Sequence, residues 1–251
     1  NKLQAAIGRV AVISDGAHAF GSVKNGVKAG AIADFTSFSF HAVKNLTTAE
    51  GGALAWRTLD GVDNDELYHE LQLYSLHGQS KDALSKNKAG AWEYDVVYPA
   101  YKCNMTNINA AIGIAQLERY EGLLERRRVL NERYEAALEK LGIKVMHHYT
   151  DEMTSTGHLY LVRIPGASVD DRNAVIQEMA EREIACNVHY KPLPMMTAYK
   201  NLGFDIADYP NAYHQYENLI SLPIFSTMTD EQNEYVIENF VDILKKRGLI
   251  K

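Results

Sequence analysis

Basic residues are in the minority in this chain: 26 Lys and Arg stand against 32 Asp and Glu, for a formal charge of −6. Such a surface has no excess of cations with which to neutralise a phosphate backbone, so no nucleic acid partner is expected; only a local basic pocket for a small phosphate-bearing ligand stays open. Cysteine is scarce as well. Cys103 and Cys186 lie far apart without CxxC spacing, which argues against a disulfide framework or a metal knuckle and fits a reducing cytoplasm. Each is read as a small buried hydrophobe. No apolar run reaches the roughly 20 residues of a membrane span, and the N-terminus has no signal-peptide pattern, so no membrane partner is expected. Internal repeats and low-complexity tracts are missing too. Position 1 lacks methionine: Asn1 opens what reads as the last turn of a helix feeding a strand, and the expectation is a chain whose N-terminal portion is missing.

What is there is a globular composition, with 251 residues, 46% of them hydrophobic and 23% charged, enough for a large domain and a small one. Short apolar runs at 9–14, 35–40 and 52–56 read as strands buried on both faces, as in an α/β sheet. Residues 60–76 read as a helix, and 78–98 as a long surface loop of a length often put to functional use. Thr106 is a candidate N-cap for a helix running to Leu117. A second helical stripe carries Tyr120, Leu123, Leu130, Tyr134 and Leu138 and ends at Gly142. Arg126, Arg127 and Arg128 lie off that stripe and are read as a solvated helix face in preference to an anion site. Beyond it, strands at 144–147, 159–164 and 185–189 alternate with helices at 170–182 and 230–246. The pattern predicts residues 1–125 as part of a large domain and 126–251 as a smaller α+β domain, with His158 and Tyr160 as packing residues of the latter.

The chemistry concentrates between Ile13 and Gly52. In open α/β sheets ligands bind at the carboxyl ends of strands, where Asp15, Ser39 and Lys44 would lie. A lysine in an apolar, serine- and histidine-containing loop is suited to attack on a carbonyl. A carboxylate suits a pyridinium nitrogen, and a serine with backbone amides suits a phosphate ester. On pattern alone the plainer description, a lysine on a surface turn and an aspartate capping a helix, is favoured. Gly51 and Gly52 read as turn formers and His41 as packing beside the lysine loop.

The run Asp15-Gly16-Ala17-His18-Ala19-Phe20-Gly21, then Ser37-Phe38-Ser39-Phe40-His41 to Lys44-Asn45, then Thr48-Ala49-Glu50-Gly51-Gly52, resembles the DegT/DnrJ/EryC1/StrS family of nucleotide-sugar aminotransferases. The likeness continues through Tyr101 to Ala111, Val188-His189-Tyr190, Leu222-Pro223 and Met228-Thr229. It implies a fold type I, pyridoxal-phosphate-dependent enzyme: a partial large domain with a central mixed or mostly parallel sheet, followed by a small α+β domain. It implies Lys44 as the Schiff-base lysine, Asp15 against the cofactor's ring nitrogen, His18 against the ring and its phenolic oxygen, and Ser39 on the phosphate. Asn104 would reach the phosphate from the neighbouring subunit, and His189 is a candidate sugar contact beside its description as a core residue. L-Glutamate is the implied amino donor and a homodimer the implied assembly, with its active site at an interface crossed by Asn104 and the 78–98 loop. His41-x-x-Lys44-Asn45 and Thr47-Thr48-x-Glu50-Gly51-Gly52 resemble the branch acting on 4-keto sugars. A UDP- or dTDP-linked 4-keto sugar is therefore the expected substrate, with a 3-keto sugar or a non-catalytic carbohydrate-binding role as alternatives.

Overall fold

The computed structural model describes residues 2–80 and 93–251; most of the loop expected at 78–98 lies outside the described residues. The chain forms two compact units, Asn1–Glu118 and Arg119–Lys251.

The first unit runs α1 (Lys2–Ile7), β1 (Ile13–Asp15), β2 (Val23–Lys24), β3 (Val27–Lys28), β4 (Phe35–Ser39), β5 (Gly52–Trp56), α2 (Asn64–Ser75) and α3 (Asn107–Leu117). β4 is central, parallel to β1 and antiparallel to β5, with Asp15 beside Ser37 and Ser39 opposite Gly52. The first strand is shorter than the apolar run at 9–14, because a side chain captures the backbone ahead of it. Val12 gives its N–H to the Asp34 carboxylate at 2.9 Å, and the same carboxylate takes both guanidinium nitrogens of Arg9. Burial on both faces is also not what the sheet shows, since Ile13 is 72% exposed and Leu54 40%. Thr106 caps α3 through the N–H of Asn109, and Asp63 caps α2.

The second unit runs α4 (Tyr120–Leu138), β6 (Lys144–Val145), β7 (Met153–Thr154), β8 (Tyr160–Arg163), α5 (Val169–Glu181), α6 (Thr197–Asn201), α7 (Pro210–Tyr216), β9 (Leu219–Leu222) and α8 (Asp230–Lys246). β6, β8 and β9 form an antiparallel sheet in that order. Leu130, Tyr134 and Leu138 of α4, Val175 and Met179 of α5, and Phe240, Ile243 and Leu244 of α8 close over it in one core. Each such apolar side chain contributes roughly 1.5–3 kcal/mol when fully buried. Capping boxes at Ser168/Asp171 and Thr229/Gln232 start α5 and α8. Gly142, at φ +80°, ends the turn that follows α4. The strand expected at 185–189 is reduced to a bridge between Asn187 and Ser221, because Val188 turns its N–H to the Asn187 side chain.

The arginine run is not a solvated face. Arg127 is 6% exposed and donates to the carbonyls of Gly157 and His158 and to Ser226 Oγ, each at 3.2 Å; burial pushes its guanidinium down to about 10. Arg126 donates to Met228 O and Asp230, and only Arg128, paired with Glu125 and Glu132, behaves as a surface charge. Cys103 is exposed, contrary to expectation. Cys186 packs against the core, and burial pushes its thiol up to about 12.

Candidate active site

β1 and β4 are adjacent and parallel, so their carboxyl ends share one edge of the sheet. Neighbours in register point to the same side and side chains alternate along a strand, which places Asp15, Ser37 and Ser39 on one face. That face ends beside Gly52, the residue opposite Ser39. Any larger residue at 52 would set its Cβ 2.6 Å from the Phe38 carbonyl oxygen.

Lys44 follows Ser39 in the segment joining β4 to β5. The segment is closed at its base by Phe40 N–H to Gly51 O at 2.8 Å and Thr48 N–H to Phe40 O at 2.9 Å. Within it Lys44 N–H donates to His41 O at 2.9 Å, and His41 N–H to Ser39 Oγ at 3.3 Å. Lys44 is half-buried. Gly51 and Gly52 are not in the left-handed region; Ala49 is, at φ +66°, a placement costing roughly 1–2 kcal/mol for a residue with a Cβ. Thr47 Oγ1 accepts the Ala49 N–H at 2.9 Å, and the buried Thr48 donates its hydroxyl to Glu50 O at 2.9 Å. His41 is exposed, its Nε2 3.5 Å from Glu50 Oε1. Phe20 stands edge-on to both Phe38 and Phe40, with centroids 5.3 and 5.2 Å away, and so packs the turn after β1 against β4.

Asp15 is exposed and accepts the Ala17 N–H at 3.0 Å. His18 follows in the same turn, half-buried. Asp15, His18, Ser39 and Lys44 therefore all come from the strand ends and turns of one sheet. Asn104 lies in the same unit, exposed, in the segment before α3, and accepts from Lys102 Nζ. His189 belongs to the second unit, with Nδ1 2.8 Å from Ser221 Oγ and its ring edge-on to Tyr190. A residue given no role by the sequence reading also stands out. Asn109 Nδ2 donates to Thr48 O at 2.7 Å and to Glu50 O at 2.9 Å. Its place three residues after Thr106 marks only a helix start.

As a donor set, a carboxylate and a hydroxyl on one face at the strand ends, with an amine in the turn that follows, match the ring nitrogen, phosphate and aldehyde of pyridoxal phosphate in chemical kind. The arrangement is that of an α/β protein with a lysine-bearing turn at the carboxyl edge of its sheet. The chain belongs to the DegT/DnrJ/EryC1/StrS aminotransferase family, whose pattern matches residues 2–241. It is similar to Spr1654 of Streptococcus pneumoniae, assigned as a sugar aminotransferase and solved in PMP, apo and PLP forms; the PMP form is 52% identical with a TM-score of 0.93 over 98% of this chain and 62% of that one. The spore coat polysaccharide biosynthesis protein SpsC of Bacillus subtilis is 34% identical over 93% of this chain and 60% of its own length. Helicobacter pylori PseC, an aminotransferase involved in the biosynthesis of pseudoaminic acid, is 26% identical with a TM-score of 0.82 over 94% of this chain and 60% of that one. The fold is thus the part of a fold type I aminotransferase that this chain spans, about 60% of the length of these relatives. Among the described residues no helix is long and apolar enough to cross a membrane.

Proposed function

We propose that this chain supplies the lysine-bearing part of a pyridoxal-phosphate-dependent sugar aminotransferase, with a UDP- or dTDP-linked 4-keto sugar as amino acceptor and L-glutamate as donor. The observation that carries the reading is the shared face of Asp15 and Ser39 at adjacent strand ends, with Lys44 in the turn that follows. When bound, the cofactor supplies an electron sink for charge developing at the substrate carbon. Lys44 Nζ would hold it covalently and, once released, carry the proton to and from that carbon. The Asp15 carboxylate would keep a proton on the ring nitrogen, His18 would lie against the ring, and the Ser39 hydroxyl would donate to a phosphate oxygen. Asn104 would reach the phosphate across a homodimer interface and His189 would contact the sugar, in a cytoplasmic enzyme of polysaccharide or glycan biosynthesis. SpsC and PseC support the polysaccharide and sugar context. The expected 4-keto preference rests on His41-x-x-Lys44-Asn45 and the Glu50-Gly51-Gly52 ending of the turn.

The test has two arms. The holoenzyme should show the visible absorption of a lysine-bound cofactor, which Lys44→Ala abolishes; absorption that survives this substitution refutes the site. Turnover of 4-keto and 3-keto nucleotide sugars with L-glutamate should favour the former, and exclusive use of a 3-keto sugar sinks the substrate assignment.

A further inference from the structure

We infer that Asn109 is a positioning residue for Lys44: its side-chain amide clips the turn that carries the lysine to the first turn of α3. The inference rests on the proposed role of Lys44 as the cofactor-bearing residue and deepens it.

Ala49 takes a left-handed backbone between Thr48 and Glu50. The carbonyls on either side of it both receive hydrogen bonds from the single Asn109 Nδ2, at 2.7 and 2.9 Å, across some sixty residues of sequence. The orientation of the amide follows from its partners: the Thr48 and Glu50 carbonyls can only accept, so the NH2 end faces them. Oδ1 is left to accept the Thr106 hydroxyl, whose Oγ1 in turn accepts the Asn109 backbone N–H at 3.2 Å. Packing reinforces the clip, for a Cβ on Gly113 of α3 would stand 2.9 Å from Thr48 Cγ2. Thr48 also closes the base of the turn through its bond to Phe40 O. One side chain of α3 therefore holds residues 48–50, and with them the end of the segment that presents Lys44. His41 and Glu50 are more exposed, and their 3.5 Å contact is a weaker tie.

Asn109→Asp tests this with nearly unchanged shape, since a carboxylate cannot donate and would face two carbonyl oxygens. In the holoenzyme the expected result is a cofactor dissociation constant raised about tenfold. The pH midpoint of the visible absorption of the lysine-bound cofactor should move by about half a unit or more. Asn109→Gln, which keeps the NH2, should restore part of both. Circular dichroism checks that the variants are folded; if the aspartate variant is not, Asn109→Ser, too short to span the gap, replaces it with the same expectation. Folded variants with wild-type affinity and midpoint overturn the inference and leave the role of Lys44 standing. A wild-type protein with no lysine-bound cofactor overturns both.

Discussion

Tyr134 of α4 and Tyr160 of β8 stack with ring centroids 4.8 Å apart and planes 25° from parallel, both rings fully buried, yet their hydroxyls differ. Tyr134 OH donates to Pro223 O at 2.8 Å, whereas Tyr160 OH has no hydrogen-bond partner among the described residues. Burial pushes both phenols well above the usual tyrosine range. A buried hydroxyl without a partner costs about 1–3 kcal/mol, and a satisfied one contributes about 1. Tyr160→Phe is therefore expected to leave stability unchanged or raise it by about 1 kcal/mol, and Tyr134→Phe to lower it by a similar amount. Urea unfolding of the two variants reads the difference, and the opposite ranking would remove the distinction between the hydroxyls.

Asp34 is 1% exposed and is held from three directions: Arg9 at 2.5 and 2.6 Å, Arg57 at 2.8 and 3.1 Å, and the Val12 N–H. The Arg9 pair, then the Val12 N–H and then Arg57 hold its carboxyl far below the usual carboxylate range. A depressed carboxylate pKa gives stability that is complete above the unfolded value, near pH 4, and is drawn down as pH falls below it. Asp34→Asn should lower the melting temperature by several degrees at neutral pH and flatten the acid limb of the stability profile. An unchanged acid limb would remove Asp34 as its source.

His147 titrates in the opposite sense. Its Nδ1 lies 2.9 Å from Glu135 Oε1 and its Nε2 3.6 Å from Glu139 Oε1, and the Glu135 bond is the larger cause raising its pKa. A raised histidine pKa gives a stabilising tie that is full below about pH 6.5 and lost as pH rises through the folded value. With both partners near the surface the energy is small, so the clean reading is the imidazole titration by NMR. The midpoint should lie above the ordinary histidine value and drop in Glu135→Gln more than in Glu139→Gln. Equal midpoints in all three proteins would refute the pairing.

What the sequence reveals is what local chemistry decides. Thr229 and Gln232 cap α8 within one turn, and the apolar spacing beyond them follows the helix period, so its bounds are readable directly. The start of β1 is not, because the Asp34 carboxylate takes the Val12 N–H from across the unit. The hairpin of β2 and β3 carries an Asn25-Gly26 signal, with both residues in the left-handed region, but strands of two residues leave no periodicity to find. Arg127 reads as a surface charge because its partners are carbonyls some thirty residues away. The candidate site divides along the same line. The order Asp15, Ser39, Lys44 at strand ends is visible in the sequence, but the common face of Asp15 and Ser39 needs the register of β1 on β4. Asn109 is recognisable only once α3 is seen against Thr48.

That common face separates the expected effects of Asp15 and Ser39, two of its polar residues. Asp15→Asn preserves the side-chain oxygen that accepts the Ala17 N–H, so the turn after β1 should keep its shape while the negative charge is removed. If Asp15 keeps the ring nitrogen protonated, the cofactor should still be held by Lys44, but the half-reaction with L-glutamate, followed in a single turnover by its visible absorption, should slow by about a hundredfold or more. Ser39→Ala removes the proposed hydrogen bond to a charged phosphate, worth about 1.5–3 kcal/mol, together with the long 3.3 Å bond from the His41 N–H. It should raise the cofactor dissociation constant about tenfold or more with a smaller change in the rate at saturation. Charge that acts on the reacting carbon changes the rate; a phosphate contact remote from it changes the affinity. An Asp15→Asn enzyme that reacts at the wild-type rate would take Asp15 out of the chemistry and leave it the turn-holding role that its bond to the Ala17 N–H already performs.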